Sequence, residues 1–430
     1  MTRLLDHISL RGKFTLIGLL AAAMLALPSF FVFRTEWTRQ SDAQREAAAI
    51  APARAMLQLL RVTQQHRGLS AQFLGGNEQS AASRAERQAE VDKALAQAEA
   101  AIGTLGDARL ADAAKRIASE WRPLAADVAG RKLASNASFD RHTALIAQQL
   151  AMLQDISNTS GLVLHPEPVG YHLQMAVLMH LPRLTEGLGQ LRARGASVLT
   201  RGEFTGSDKA RLQALVAQAR GQAEDVGKSI GSVIAADGAL ATTLAGPQAA
   251  AAKAVTSGLE VAEQQMGLAA PDMPAPEFYA ALTRVLDAQF AEVDAAMTQL
   301  EANVNGAAAA SRLQMAMVGG ALALLAALGS GLLWVVSRHT VRSFERALSV
   351  AEAVGQGDLA VPAAHAGQDE AARLMRALAT MTRQLTDVVG RVRHNADSVA
   401  TASGQISQGN SDLSSRTEEQ ATPCSRPPPR

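Results

Sequence analysis

The chain has 430 residues and almost balanced charge, 41 Lys and Arg against 40 Asp and Glu, which gives no electrostatic reason to expect a nucleic-acid partner. Aromatic side chains make up only 3%; β-sheets draw on aromatic and β-branched residues, so this Ala-rich composition predicts long helices packed through small side chains. The single cysteine, Cys424, excludes an intrachain disulfide and leaves packing to hold any folded region together.

The first element is an apolar run at residues 14–33, and a second lies at 315–336. At about 1.5 Å per residue, a helix of roughly 20 residues crosses a hydrocarbon core of about 30 Å. Neither run contains a charged side chain, as a span requires. The first run is longer than the apolar region of a signal peptide and has no small-x-small cleavage site before Arg34, so it reads as a retained anchor. Arg3, Arg11 and Lys13 precede the first run, and Arg338, Arg342 and Arg346 follow the second. That cation bias predicts two cytoplasmic ends, 1–13 and the segment after 336, with 34–314 in the periplasm of an inner-membrane protein. Gly319, Ala323, Ala327 and Gly331 form a small-residue stripe that suits a close helix pair or dimer, although an Ala-rich chain also produces such stripes by composition.

Between the runs, breakers fall at Gly75-Gly76-Asn77, Gly103 to Gly106, Gly130, His165-Pro166-Glu167-Pro168, Arg201-Gly202, Ala236-Asp237-Gly238 and Pro271 to Pro276. They delimit about eight helices, the first continuing from one span and the last running into the other. One four-helix bundle needs half that length, so the prediction is an all-α fold with two transmembrane helices and two stacked, tandem four-helix bundles outside the membrane. An internal echo, Arg67-Gly68-Leu69-Ser70 against Arg194-Gly195-Ala196-Ser197, is separated by about one bundle.

After 336, Phe344, Leu348 and Ala351 fit a short helix that ends at Gly355-Gln356-Gly357-Asp358-Leu359. A connector through His365 and Gly367 follows, and Asp369-Glu370 opens the next helix at its positive end. Leu374, Leu378, Met381, Leu385, Val388, Val392, Asn395, Val399, Ala402, Ile406, Gly409 and Leu413 then alternate in steps of four and three, an a/d seam that predicts a coiled coil.

Residues 337–389 resemble a HAMP linker, the parallel four-helix dimer module found beneath many bacterial sensors, with Gly357, Asp358, Leu359, Asp369 and Glu370 as its signature. Phe344 stands where that family usually has Pro, and Ala372 where it usually has Gly. From residue 390 to 421, the run Leu413-Ser414-Ser415-Arg416-Thr417-Glu418-Glu419-Gln420-Ala421 resembles the start of the cytoplasmic domain of methyl-accepting chemotaxis proteins. The resemblance implies Glu419 as a methyl acceptor, with a methyltransferase, a coupling protein and a histidine kinase as partners. Residues 422–430, with Pro423 and a Pro run, depart from that family, and the expectation is a reading frame truncated before the kinase-contact tip. Two other readings stay open: the input half of a sensor histidine kinase or cyclic-dinucleotide enzyme, and a structural coiled-coil partner of full-length receptors.

The run Gln64-Gln65-His66-Arg67-Gly68-Leu69-Ser70 resembles a motif of nitrate- and nitrite-sensing helical domains, with His66 where that family has Glu. By this resemblance Arg67 is the candidate oxyanion contact, with Arg194, Ser70 and Ser197 contributed through the echo; an interhelical salt bridge is the competing role for Arg67. His165, His172 and His180 lack the spacing and the thiol or carboxylate of a metal set, so no metal and no cofactor is expected. No HExxH, Gly-x-Ser-x-Gly or P-loop is present, and an enzyme is not expected. The predicted partners are a second copy or another receptor, membrane lipid, and either a small molecule such as nitrate or a liganded binding protein.

Overall fold

A computed structural model of the chain describes residues 8–268, 272–360 and 367–420. Arg3, His365, Pro271, Cys424 and the tail 422–430 lie outside the described residues. Within them the fold is all-α, in two units: Phe31–Gly319, and Met1–Phe30 together with Gly320–Arg430. The helices in chain order are α1 (Leu10–Leu74), α2 (Ser80–Gly103), α3 (Ala108–Ala129), α4 (Ser135–Ser160), α5 (Pro168–Gln174), α6 (Leu181–Arg201), α7 (Gly206–Ala236), α8 (Ala241–Gly267), α9 (Ala275–Gly355) and α10 (Glu370–Gln420).

Helix ends in the larger unit follow from local chemistry. Gly76, Gly106, Gly161 and Gly202 take positive φ at the ends of α1, α2, α4 and α6, where a side chain would be strained. Asp107 caps α3 through its carboxylate to the Arg109 and Leu110 amides. Thr205 and Asp208 close a reciprocal capping box on α7. A π turn at Met175–His180 joins α5 to α6 with no break in the rod. No sequence signal announced it.

Side-chain contacts set the packing. Arg54 reaches Glu301 at 2.5 Å and Arg61 reaches Asp294 at 3.4 Å, so α1 and α9 run antiparallel along one another. Gln149 donates to Thr63 at 3.1 Å, and Ser135 donates to the Ala71 carbonyl at 3.1 Å, which sets α4 antiparallel to α1. Arg192 donates to Thr283 at 3.0 Å, which sets α6 antiparallel to α9. The α1–α4 and α6–α9 sets therefore lie side by side and not stacked end to end. One core runs through both, from Ala49 to Val304. Placing α1, α4, α6 and α9 inside and the other helices outside buries more apolar surface than an end-to-end contact would.

Both glycines of the internal echo face the start of α9. A Cβ at Gly68 would stand 2.5 Å from the Tyr279 hydroxyl, and one at Gly195 would stand 2.4 Å from Phe278 Cε1. The echo is thus a repeated close approach of a helix backbone to an aromatic ring.

In the other unit, the apolar stretches of α1 and α9 are long enough to cross a membrane; Leu19, Leu20, Met24, Leu328, Leu332 and Trp334 are exposed along them. Arg11 pairs with Glu345 at 2.7 Å. Gly357, at positive φ, ends α9 in a Schellman motif: its amide bonds the Val354 carbonyl at 3.1 Å and the Asp358 amide bonds Ala353 at 2.9 Å. Asp369 caps α10 through the Ala372 amide at 2.8 Å. Ala347, Val350 and Met375 form a small core between the two helices. Leu385, Val388, Val392, Val399, Ile406 and Leu413 are exposed along one helix.

Trp121 is 1% exposed and its indole N–H donates to Asp92 at 2.6 Å. Trp121→Ala is expected to cost about 3–5 kcal/mol, read from the urea midpoint of the Phe31–Gly319 unit.

Candidate functional site

At the middle of the inner four helices the apolar core is interrupted by charge. Arg67 of α1 is 1% exposed and forms a fork with Glu186 of α6, Nη1 to Oε1 at 2.6 Å and Nη2 to Oε2 at 3.1 Å. Nη1 also donates to Thr143 of α4 at 3.0 Å. Glu186 accepts from Gln64 of α1 at 3.1 Å and from Gln190, one turn along its own helix, at 2.8 Å. Burial weakens water's competition for these groups, so the carboxylate needs all of its donors.

Arg192 enters the same seam from α6. It is 5% exposed, donates to Thr283, and stacks over the Tyr279 ring at 4.5 Å. Its Nε has no hydrogen-bond partner. No carboxylate lies within ion-pair distance of it among the described residues. Burial holds its pKa below the usual guanidinium value and the neighbouring Arg67 charge adds to the effect, while Tyr279 and the exposed carboxylate of Asp287, beyond ion-pair distance, oppose it. Two glycines make the approach possible. A Cβ at Gly68 would meet Arg192 Nη2 at 3.1 Å, and one at Gly189 would meet Arg67 Nη2 at 2.9 Å. Each arginine thus lies against a glycine of the other's helix.

The residues expected from sequence separate here. Arg67 sits at the centre, and its interhelical salt bridge is present. Arg194 is partly exposed, stacks over Phe139 at 4.9 Å and reaches Asp140 only at 3.8 Å. Ser197 is exposed. Ser70 is buried but lies against His66 at 3.3 Å, inside the α1–α4 set. Two residues explain the difference: the echo aligned Arg194 with Arg67, whereas helical phase turns Arg192 into the seam. An apolar stripe at Leu184, Leu188, Leu191 and Leu199 places Arg192 on the buried side of α6, and this was the available signal.

The buried histidines make their hydrogen bonds apart from this pair of arginines. His142 Nδ1 donates to the Ser138 carbonyl at 2.7 Å, leaving its Nε2 to accept from His66 Nδ1 at 2.9 Å. Burial, then the adjacent His142 and Arg84, hold His66 down to about 2. Burial holds His142 down to about 4; both rings are neutral at neutral pH. His165 is bonded to Glu46 at 2.6 Å. His165, His172 and His180 do not converge, and no group of three or more metal-ligating side chains occurs among the described residues. The side chain of Glu419 lies outside the described residues, although its backbone is helical in α10.

Burial raises Glu292 of α9 from its usual value of 4.5 to about 8. The folded chain keeps a proton there that the unfolded chain has lost, so rising pH removes stability across the window from about 4.5 to 8. Glu292→Gln is therefore expected to melt progressively higher relative to the parent chain as pH rises from 5 to 8, read as the difference in Tm at each pH.

A model of the family described as nitrate and nitrite sensing matches residues 58–288, and a HAMP domain model matches residues 335–387. Over 92 residues the chain is 34% identical to methyl-accepting chemotaxis protein IV of Escherichia coli K12. The match takes in 21% of this chain and 17% of that protein, so the chain spans only a small part of this curated relative. The structure of the NasR transcription antiterminator is similar with a TM-score of 0.53 at 19% identity, covering 85% of this chain and 99% of that one. At that identity the likeness concerns the fold.

Proposed function

The chain belongs to the nitrate and nitrite sensing family, and from that premise we propose that it is a two-pass membrane receptor whose outer unit binds a planar oxyanion between Arg67 and Arg192. One observation carries this reading: a buried guanidinium, Arg192, with an unused N–H and no carboxylate partner beside a second buried guanidinium. An uncompensated buried charge costs several kcal/mol unless an opposite charge joins it. Nitrate and nitrite are flat, singly charged and rich in acceptor oxygens, and guanidinium forks match that shape. Thr143, Thr283 and Tyr279 supply polar groups around the same point.

The output side of the proposal rests on the HAMP match and on the exposed seam of α10. A helix that shows Val392, Val399, Ile406 and Leu413 at heptad spacing suits pairing with a second copy in a parallel coiled coil. In this reading the sensor unit lies in the periplasm and both flanks of the spans are cytoplasmic. The signal passes through residues 337–389 to a methyl-accepting coiled coil, with Glu419 as an acceptor, toward chemotaxis kinase control. Esterification there removes one negative charge from a helical bundle and relaxes repulsion between neighbours.

Isothermal titration of the chain in nanodiscs with sodium nitrate tests the site. Arg192→Gln orphans no carboxylate and is expected to weaken binding by about 10-fold to 100-fold, the loss of charged hydrogen bonds worth about 1.5–3 kcal/mol. Arg194→Gln is expected to stay within about twofold of the parent chain, as for a charge outside the contact. Equal losses in the two variants, or saturable binding unchanged by Arg192→Gln, would remove Arg192 from the site.

A further inference from the structure

Arg67 already holds a planar anion. The Glu186 carboxylate offers two oxygens to the guanidinium at 2.6 and 3.1 Å, the same fork that a nitrate would occupy. Arg67 and Glu186 also tie α1 to α6, and the Gln64 amide crosses the same seam. The buried side chains of this cluster are two guanidiniums and one carboxylate, one positive charge in excess, with the exposed carboxylate of Asp287 acting on Arg192 from outside the cluster. Its complement is therefore a single monoanion.

We propose that Glu186 is an internal competitor for the ligand: the incoming oxyanion takes the place of its carboxylate on Arg67, and this exchange releases the α1–α6 tie. The inference rests on the oxyanion reading above and adds its regulation. Three features favour exchange over simple addition. The end-on fork of Arg67, Nη1 with Nη2, is taken by Glu186, and Nη1 also donates to Thr143, so a ligand that takes this fork must displace the carboxylate. A displaced Glu186 carboxylate keeps two donors, Gln64 Nε2 and Gln190 Nε2, which lowers the cost of letting go of Arg67. Arg192, one and a half turns further along α6, has the free N–H that draws the anion in. The exchange converts binding into a changed contact between two helices of the seam, one of which, α1, continues into the first apolar stretch. A ligand shifts a conformational equilibrium only through contacts that differ between states, and the Arg67 to Glu186 fork is such a contact. The single excess charge also predicts preference for nitrate over sulfate, whose second charge would be left uncompensated.

The test compares the nitrate affinity of the parent chain, Glu186→Gln and Glu186→Asp by titration in nanodiscs, with Tm of each variant to confirm folding. Glu186→Asp keeps the charge but is too short to span the seam. Displacement predicts that both variants bind nitrate roughly tenfold more tightly than the parent, since each removes the competing contact. A gain in Glu186→Gln alone would reduce the effect to distant charge and overturn the displacement. No gain in either variant, with nitrate still bound by the parent, would also overturn it while leaving the oxyanion site standing. Failure of all three proteins to bind would overturn both proposals, whereas binding by the variants alone would support the competition. The parent chain provides a second measurement that does not depend on variant folding. In its structure with sodium nitrate, the Arg67 to Glu186 separation is expected to exceed the ion-pair limit of about 4 Å; an intact fork beside bound nitrate would overturn the proposal.

Discussion

A guanidinium and a carboxylate held face to face, away from water and among four helices, constrain the architecture of the outer unit more than any apolar contact does. Arg67 and Glu186 lie 119 residues apart in sequence, and each offsets the other's buried charge. Their pairing sets the registry of α1 against α6, and Thr143 adds α4 to the same layer. Buried ion pairs contribute little net stability, because desolvation offsets attraction. What such a pair supplies here is a fixed arrangement of α1 against α6.

Polar contacts to one side of this pair, toward the N-terminal part of α1, follow the same logic with uncharged or singly hydrogen-bonded partners. Thr63 with Gln149, Ser157 with Gln174, and Glu46 with His165 each join two elements through one hydrogen bond in a buried setting. The amide oxygens of Gln64, Gln149, Gln174 and Gln289 have no partner.

The second unit carries a different incompleteness. Its small core of Ala347, Val350 and Met375 uses one side of α10, while the a/d positions from Leu385 to Leu413 face solvent. This helix of 51 residues carries its exposed apolar positions at heptad spacing, the pattern found in coiled-coil seams. The substitution of Ala372 for the Gly usual in HAMP linkers is accommodated: Ala372 is fully buried in this local packing. Phe344, in place of the usual Pro, stays half exposed.

The all-helical class, the two apolar spans, the heptads of α10 and nearly every helix end were legible from residues alone, because each depends on interactions within a few positions. Gly76, Gly202 and Gly357 terminate helices for local steric reasons, and Leu374 to Leu413 repeat a local period. The motif around Arg67 also pointed to the family. The side-by-side packing of the two four-helix sets, the burial of Arg192 but not of Arg194, the turning of Ser70 toward His66, and the capture of Arg67 by Glu186 were decided only by tertiary structure. Each depends on which face of one helix meets which face of another far away in sequence. A shift of two residues along a helix rotates a side chain by about 200°, and nothing local records which side the distant partner will take.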